Sequence, residues 1–207
     1  MTSLMACVLI HGSLGVTTDF LSLRVFHTYL LGSCDYLGRL KPLVPHLYPK
    51  LHSHMLGHIQ HNIHQNERHE IAVTDSLSLA GVFKFPAQYA QPYLVHARNI
   101  FGSTEKPGYR LTCIEFLEQY GTPSDLALLA GTFSDERFRV DDIASHWRRT
   151  VISASKGLAR IGTDKELTAL ENFIKTIPKN CSLHEDLSES REKLHARLER
   201  SGEKPKK

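Results

Sequence analysis

Two stretches of this 207-residue chain match one another at an offset of 41 residues. Residues 116–129 align with residues 157–170 so that Gly121 meets Gly162 and Thr122 meets Thr163. Leu117 meets Leu158, Tyr120 meets Ile161, Asp125 meets Glu166, Leu126 meets Leu167 and Leu129 meets Leu170; further on, Phe133 meets Ile174. The apolar matches fall at helical spacing. In each copy a glycine follows one run, where a left-handed residue past a helix end is expected. The threonine then caps the next helix, and the acid lies in its first turn, where the helix dipole favours negative charge. Each copy therefore reads as a helical hairpin. One such hairpin cannot bury its apolar side alone, so neighbours must stack.

From this pattern, helices are expected at 109–120, 124–133, 141–161 and 165–177, and the fold class is all-α, a short α-solenoid of antiparallel helix pairs. The front of the chain is less regular. Apolar spacing predicts a helix over 17–31. Prolines 42, 45 and 49 predict a broken segment over 41–49, because each removes a donor and restricts the residue before it. A helix is then expected over 50–65, a connection at Asn66-Glu67-Arg68, a helix within 71–85 capped from Thr74-Asp75-Ser76, and another over 93–101. The Gly- and Pro-containing stretch 102–108 reads as a loop and divides an irregular helical region, 1–101, from the repeats, 109–177. Beyond Pro178, Leu183, Leu187, Leu194 and Leu198 draw an apolar line through a charged amphipathic helix that gives way to a disordered end within 178–207.

The repeat resembles HEAT repeats, in particular the phycobilisome-lyase type, over about residues 109–177. That family's unit is a helix ending in Leu-x-x-Ile-Gly, then a turn, an acid and a Leu-x-x-Leu helix. Residues 109–121 follow it with Arg110 in the arginine position. Residues 150–162 follow it with Val151 there instead, and Arg148 and Arg149 just upstream are candidates to take over the role. The resemblance implies a non-enzymatic scaffold whose surface binds a protein. Two copies are fewer than the ~3 that such a stack usually needs, so the front half is expected to supply degenerate repeats or a helical cap. The alternative is a helical sensor or regulatory segment of a larger multidomain signalling NTPase.

The candidate protein-binding surface is the mixed-charge run Asp135, Glu136, Arg137, Arg139, Asp141 and Asp142 with Arg148 and Arg149, because it occupies the lengthened connection of the second unit. Trp147 is expected in the core. The charge of +3 carries no concentrated basic run, so nucleic acid is not expected as a partner. No apolar stretch approaches the ~20 residues of a membrane span, and the four separated cysteines fit a reduced, cytoplasmic setting.

Thirteen histidines are the other unusual feature. His54, His58 and His61 share one helix face at i, i+4, i+7 spacing, and two imidazoles one turn apart can take Zn²⁺ or Ni²⁺. The stripe lacks an acid or cysteine at the spacing of a closed tetrahedral site, so it reads first as the polar flank of an amphipathic helix, and no cofactor is expected. The His11-Gly12 pair after an apolar run resembles an oxyanion-hole turn, but no Gly-x-Ser-x-Gly elbow accompanies it, and no catalytic residue is assigned.

Overall fold

The computed structural model describes residues 44–135 and 144–202. The helix expected over 17–31, the residues at 41–43 and His11 lie outside the described residues. All regular structure among the described residues is helical. None of these helices is long and apolar enough to cross a membrane. The chain divides into two compact units, Met1–Tyr89 and Ala90–Lys207. The unit holding the repeat therefore begins upstream of the loop read from the sequence as its boundary.

In the first unit, α1 spans Val44–His61 and packs on α2, Asn66–Val82. Helix α1 begins six residues earlier than the prolines suggest, with Pro49 inside it. A proline within a helix forfeits the hydrogen bond to the carbonyl four residues before it. Here that carbonyl belongs to Pro45 in the first turn, so one bond is lost close to the helix start. Tyr48 anchors the same turn, its hydroxyl donating to the Phe83 carbonyl at 3.0 Å and its ring meeting Phe85 edge-on at 5.2 Å.

Helix α2 starts at Asn66, so Asn66-Glu67-Arg68 is the first helical turn rather than a connection. Thr74 and Ser76 are not caps. They sit inside α2, and their hydroxyls donate back to the Glu70 and Ala72 carbonyls at 2.9 and 2.7 Å, the alternative that short polar side chains have in a helix interior. The helix closes through Lys84, which holds φ at 49° while the Phe85 amide donates to the Ala80 carbonyl at 3.0 Å. This is a helix stop of the kind usually made by glycine.

A short helix, α3, spans Ala87–Ala90. In the second unit, α4 spans Tyr93–Ser103 and buries Tyr93, Leu94, Ala97, Ile100 and Phe101 on one side. Helix α5, Pro107–Tyr120, starts on a proline, whose missing N–H costs nothing in the first turn. After it come a 3₁₀ turn at Pro123–Asp125, α6 at Leu126–Gly131 and a second 3₁₀ turn at Thr132–Ser134. Next are α7, Ala144–Ile161; α8, Asp164–Ile174; and α9, Ser182–Ser201, which ends at Gly202 in the left-handed region, φ 75°. Helices α4 and α5 pack together, and α5, α7 and α9 pack in series. Helix α6 packs on α7 and α8, and α8 packs on α9.

The matched apolar positions supply the core of this unit. Leu117, Leu129, Leu158, Leu167, Leu170, Phe133 and Ile174 are buried, while Leu126 is half-buried. The apolar line of α9 is not peripheral. Leu194 and Leu198 cluster with Leu167 and against Ala159. The rings of Phe133 and Phe173 stack at 4.7 Å.

Gly121 and Gly162 do follow helix ends, but neither is left-handed: Gly121 has φ −55°, and the only positive-φ glycine among the described residues is Gly202. Steric room is what selects glycine here. A Cβ on Gly121 would lie 2.4 Å from the Leu117 carbonyl oxygen, and one on Gly162 would lie 2.6 Å from that of Leu158. Both capping threonines behave as the pattern implies. The Thr122 amide donates to Asp125 at 2.8 Å and the Thr163 amide to Glu166 at 3.0 Å, each within a capping box.

Candidate functional site

Of the charged run proposed as a binding surface, Asp135, Arg148 and Arg149 are described; Glu136, Arg137, Arg139, Asp141 and Asp142 lie outside the described residues. Asp135 is half-buried at the end of the second 3₁₀ turn. The two arginines occupy the second turn of α7 and reach in different directions. Arg148 pairs with Asp186 of α9, Nη2 to Oδ2 3.2 Å, and Arg149 pairs with Glu115 of α5, Nη2 to Oε1 2.6 Å. Neither takes over the role of Arg110, which lies almost wholly buried and donates through Nε to the Thr104 carbonyl at 2.7 Å, at the end of α4. Trp147 beside them is half-buried rather than enclosed.

The Arg149–Glu115 pair opens a line of polar groups along the α5–α7 contact. One turn on, Glu118 accepts a hydrogen bond from Ser153, with Lys156 and Arg160 nearby. Burial pushes the Glu118 carboxyl above its ordinary range, partly offset by Ser153 and then by Lys156. At the far end Arg160 turns onto the end of α5. Its Nε donates to the Glu118 carbonyl at 2.8 Å and its Nη2 to the Gly121 carbonyl at 2.7 Å. The next junction repeats this: Arg197 of α9 donates to the carbonyls of Ala159 and Gly162 at the end of α7. With Arg110 at the end of α4, the ends of α4, α5 and α7 are each held by an arginine from a later helix.

Asp125 ties the first unit of the repeat to α4. Its carboxylate takes both arms of Arg98, at 2.6 and 3.0 Å, as well as the Thr122 amide. Burial alone would raise its pKa. The Arg98 guanidinium and the Thr122 amide outweigh that and hold the carboxyl below its ordinary range.

Glu115, Glu118, Asp186, Arg160 and Arg197 all escaped the sequence reading. The signal for Arg160 is weak but physical. A basic residue in the last turn of a helix is usually credited to its own dipole; here Arg160 serves the end of α5.

The histidine stripe belongs to the first unit. Met55 and Ile59 of α1 and Asn62 just past its end are buried, His58 is half-buried, and His54 and His61 are exposed. The Asn62 amide donates to the His58 carbonyl at 2.8 Å and sits 3.4 Å from its Nδ1. Partial loss of solvent lowers the pKa of His54 and of His58, and His54 and then His61 lower that of His58 further by repulsion. Among the described residues, no three His, Cys, Asp or Glu side chains are placed to hold one metal ion.

Compared with protein-family models, curated proteins and solved structures, the chain matches none of them.

Proposed function

We propose that the second unit is a HEAT-like helical-repeat scaffold that mediates protein–protein interaction, with no chemistry of its own. The observation that carries this reading is the recurrence of one junction. A helix closes on a glycine that tolerates no side chain, a Thr–acid capping box starts the next helix, and an arginine from the following long helix takes the glycine's carbonyl. This happens at Gly121 with Thr122, Asp125 and Arg160, and again at Gly162 with Thr163, Glu166 and Arg197. A module that repeats its packing rather than concentrating reactive groups offers an extended surface, and such surfaces serve binding.

Within that scaffold the contact surface is the charged run of residues 135–142 with Arg148 and Arg149, of which Asp135 and the two arginines are among the described residues. The arginines are held at their Asp186 and Glu115 partners but stay open to solvent, with side-chain exposures of 43% and 62%. Exposed charges of this kind set encounter rate and partner choice more than affinity. The test is capture of partners from the native cell by the full chain, with crosslinking and mass spectrometry. Crosslinks are expected within residues 130–150 and on the neighbouring parts of α5 and α9. Crosslinks confined to residues 44–89 would place the binding surface in the other unit and overturn the assignment.

A further inference from the structure

The two junctions of the repeat differ in how fully their acids are used. At the first, Oδ2 of Asp125 accepts from the Thr122 amide and hydroxyl at 2.8 and 3.1 Å and from Nη2 of Arg98 at 3.0 Å. Its Oδ1 accepts from Nε of Arg98 at 2.6 Å. At the second, the aligned Glu166 makes the same capping box, with the Thr163 amide and hydroxyl on Oε2 at 3.0 and 2.5 Å. Among the described residues no guanidinium joins it, and Arg197 is engaged with the Ala159 and Gly162 carbonyls. An ionised carboxylate offers about four acceptor positions. Asp125 has all of them filled; Glu166 has only those taken by Thr163.

The surroundings of Glu166 add to the demand for a cation. Asp125 is 1% exposed beneath Arg98, whereas Glu166 is 6% exposed, so an edge of its carboxylate still meets solvent. Asp164, in the same first turn of α8, carries a second carboxylate whose Oδ1 is enclosed without a hydrogen bond. A buried acceptor left without a donor is costly. The first junction shows what satisfies this position: a guanidinium set against both oxygens, a fork that an ammonium does not reproduce.

We propose that Glu166, with Asp164 beside it, receives an arginine side chain of the protein partner, so that the second junction is completed from outside as Arg98 completes the first from within. This rests on the scaffold reading and adds a contact beyond the charged run of residues 135–142.

The experiment is a nuclear magnetic resonance titration of the full chain with N-acetyl-arginine methylamide into the tens of millimolar, followed through the backbone amides. Saturable shifts are expected at Thr163 and Glu166 and not at Thr122 and Asp125. The lysine counterpart should shift them less. Glu166→Gln, which keeps a capping side chain, should lose the response while its circular dichroism stays helical. Arg98→Ala should open the first junction, so that Thr122 and Asp125 respond as well. Absence of saturable shifts at Thr163 and Glu166 in the wild type overturns the assignment, as does an unchanged response in Glu166→Gln. A response that appears only in Arg139→Ala also overturns it, since the chain's own arginine, 41 residues after Arg98, would then be the occupant. No partner is present in the titration, so its failure is distinct from a failure of partner capture.

Discussion

The guanidinium of Arg160 donates to the main-chain carbonyl of Gly121 at 2.7 Å, from the last turn of one helix to the end of another. The end of a helix leaves carbonyls without intrahelical donors. Gly121 and Gly162 lack the left-handed geometry that commonly satisfies them, and Arg160 and Arg197 supply donors from the next long helix instead. Each junction is therefore closed only when its neighbour has packed. Arg160→Ala should destabilise the protein by about 1.5–3 kcal/mol, the range for charged hydrogen bonds. Arg160→Lys should recover only part, since an ammonium cannot reproduce the fork. The midpoint of urea unfolding measures both; full recovery by lysine would mean that charge, not geometry, closes the junction.

The glycines give a paired test. Gly121→Ala and Gly162→Ala would each force a Cβ against a backbone carbonyl at 2.4 and 2.6 Å. The backbone has to shift, and a loss of about 1–3 kcal/mol is expected. Gly57 in α1 and Gly131 in α6 have nothing within 4 Å of an added Cβ. There alanine should stabilise by about 0.5–1 kcal/mol, because glycine loses more freedom on folding. If all four variants shift thermal stability in the same direction, the steric account of the junctions is wrong.

Leu158 is fully buried, whereas Leu126, another apolar position of the pattern, is half-buried. Leu158→Ala should lower stability by about 2–5 kcal/mol through lost burial and a residual cavity. Leu126→Ala should cost distinctly less. Equal losses in chemical denaturation would show that the core does not run where the buried leucines place it.

Asp125 makes a prediction in pH. Its carboxyl titrates below the ordinary range in the folded chain because Arg98 and the Thr122 amide outweigh burial. The stabilisation is present above the unfolded carboxylate pKa, near about 4. It is lost as pH falls through the depressed folded value, where the unfolded chain already holds the proton. Glu118, raised by burial, acts in the opposite sense: its folded form is favoured by protonation, so its contribution falls as pH rises through the raised value. Asp125→Asn should therefore be less stable than wild type at neutral pH and lose less on acidification below pH about 4. Parallel stability–pH curves for the two proteins would remove Asp125 from the account.

The repeated half of the fold was legible because its helix starts depend on local chemistry. Thr122 with Asp125 and Thr163 with Glu166 are three residues apart, and the leucines between them carry the helical period. What the sequence hid was non-local or counter to propensity. Pro49 lies inside α1 because its lost bond falls near the helix start and Tyr48 ties that turn to Phe83. Lys84 takes a conformation expected of glycine. Thr74 and Ser76 look like caps but bond backwards within α2. At the candidate surface, Arg148 and Arg149 were readable as charges, but their partners Asp186 and Glu115 are 38 and 34 residues away in the chain. Nothing local announces such pairs.

The proposed function rests on a charged scaffold surface presented to a protein. Its most direct measurement is the salt-dependent capture of the crosslinked partner by wild type and by an Arg148→Gln, Arg149→Gln double variant. Glutamine is the right replacement, since a reversal to Glu would set carboxylates against Asp186 and Glu115. Exposed ion pairs contribute about 0–1 kcal/mol each, so the double variant should unfold at nearly the wild-type temperature. Wild-type capture is expected to weaken as salt rises, and the double variant to capture poorly even at low salt. Undiminished capture by the double variant, with no dependence on salt, would contradict it.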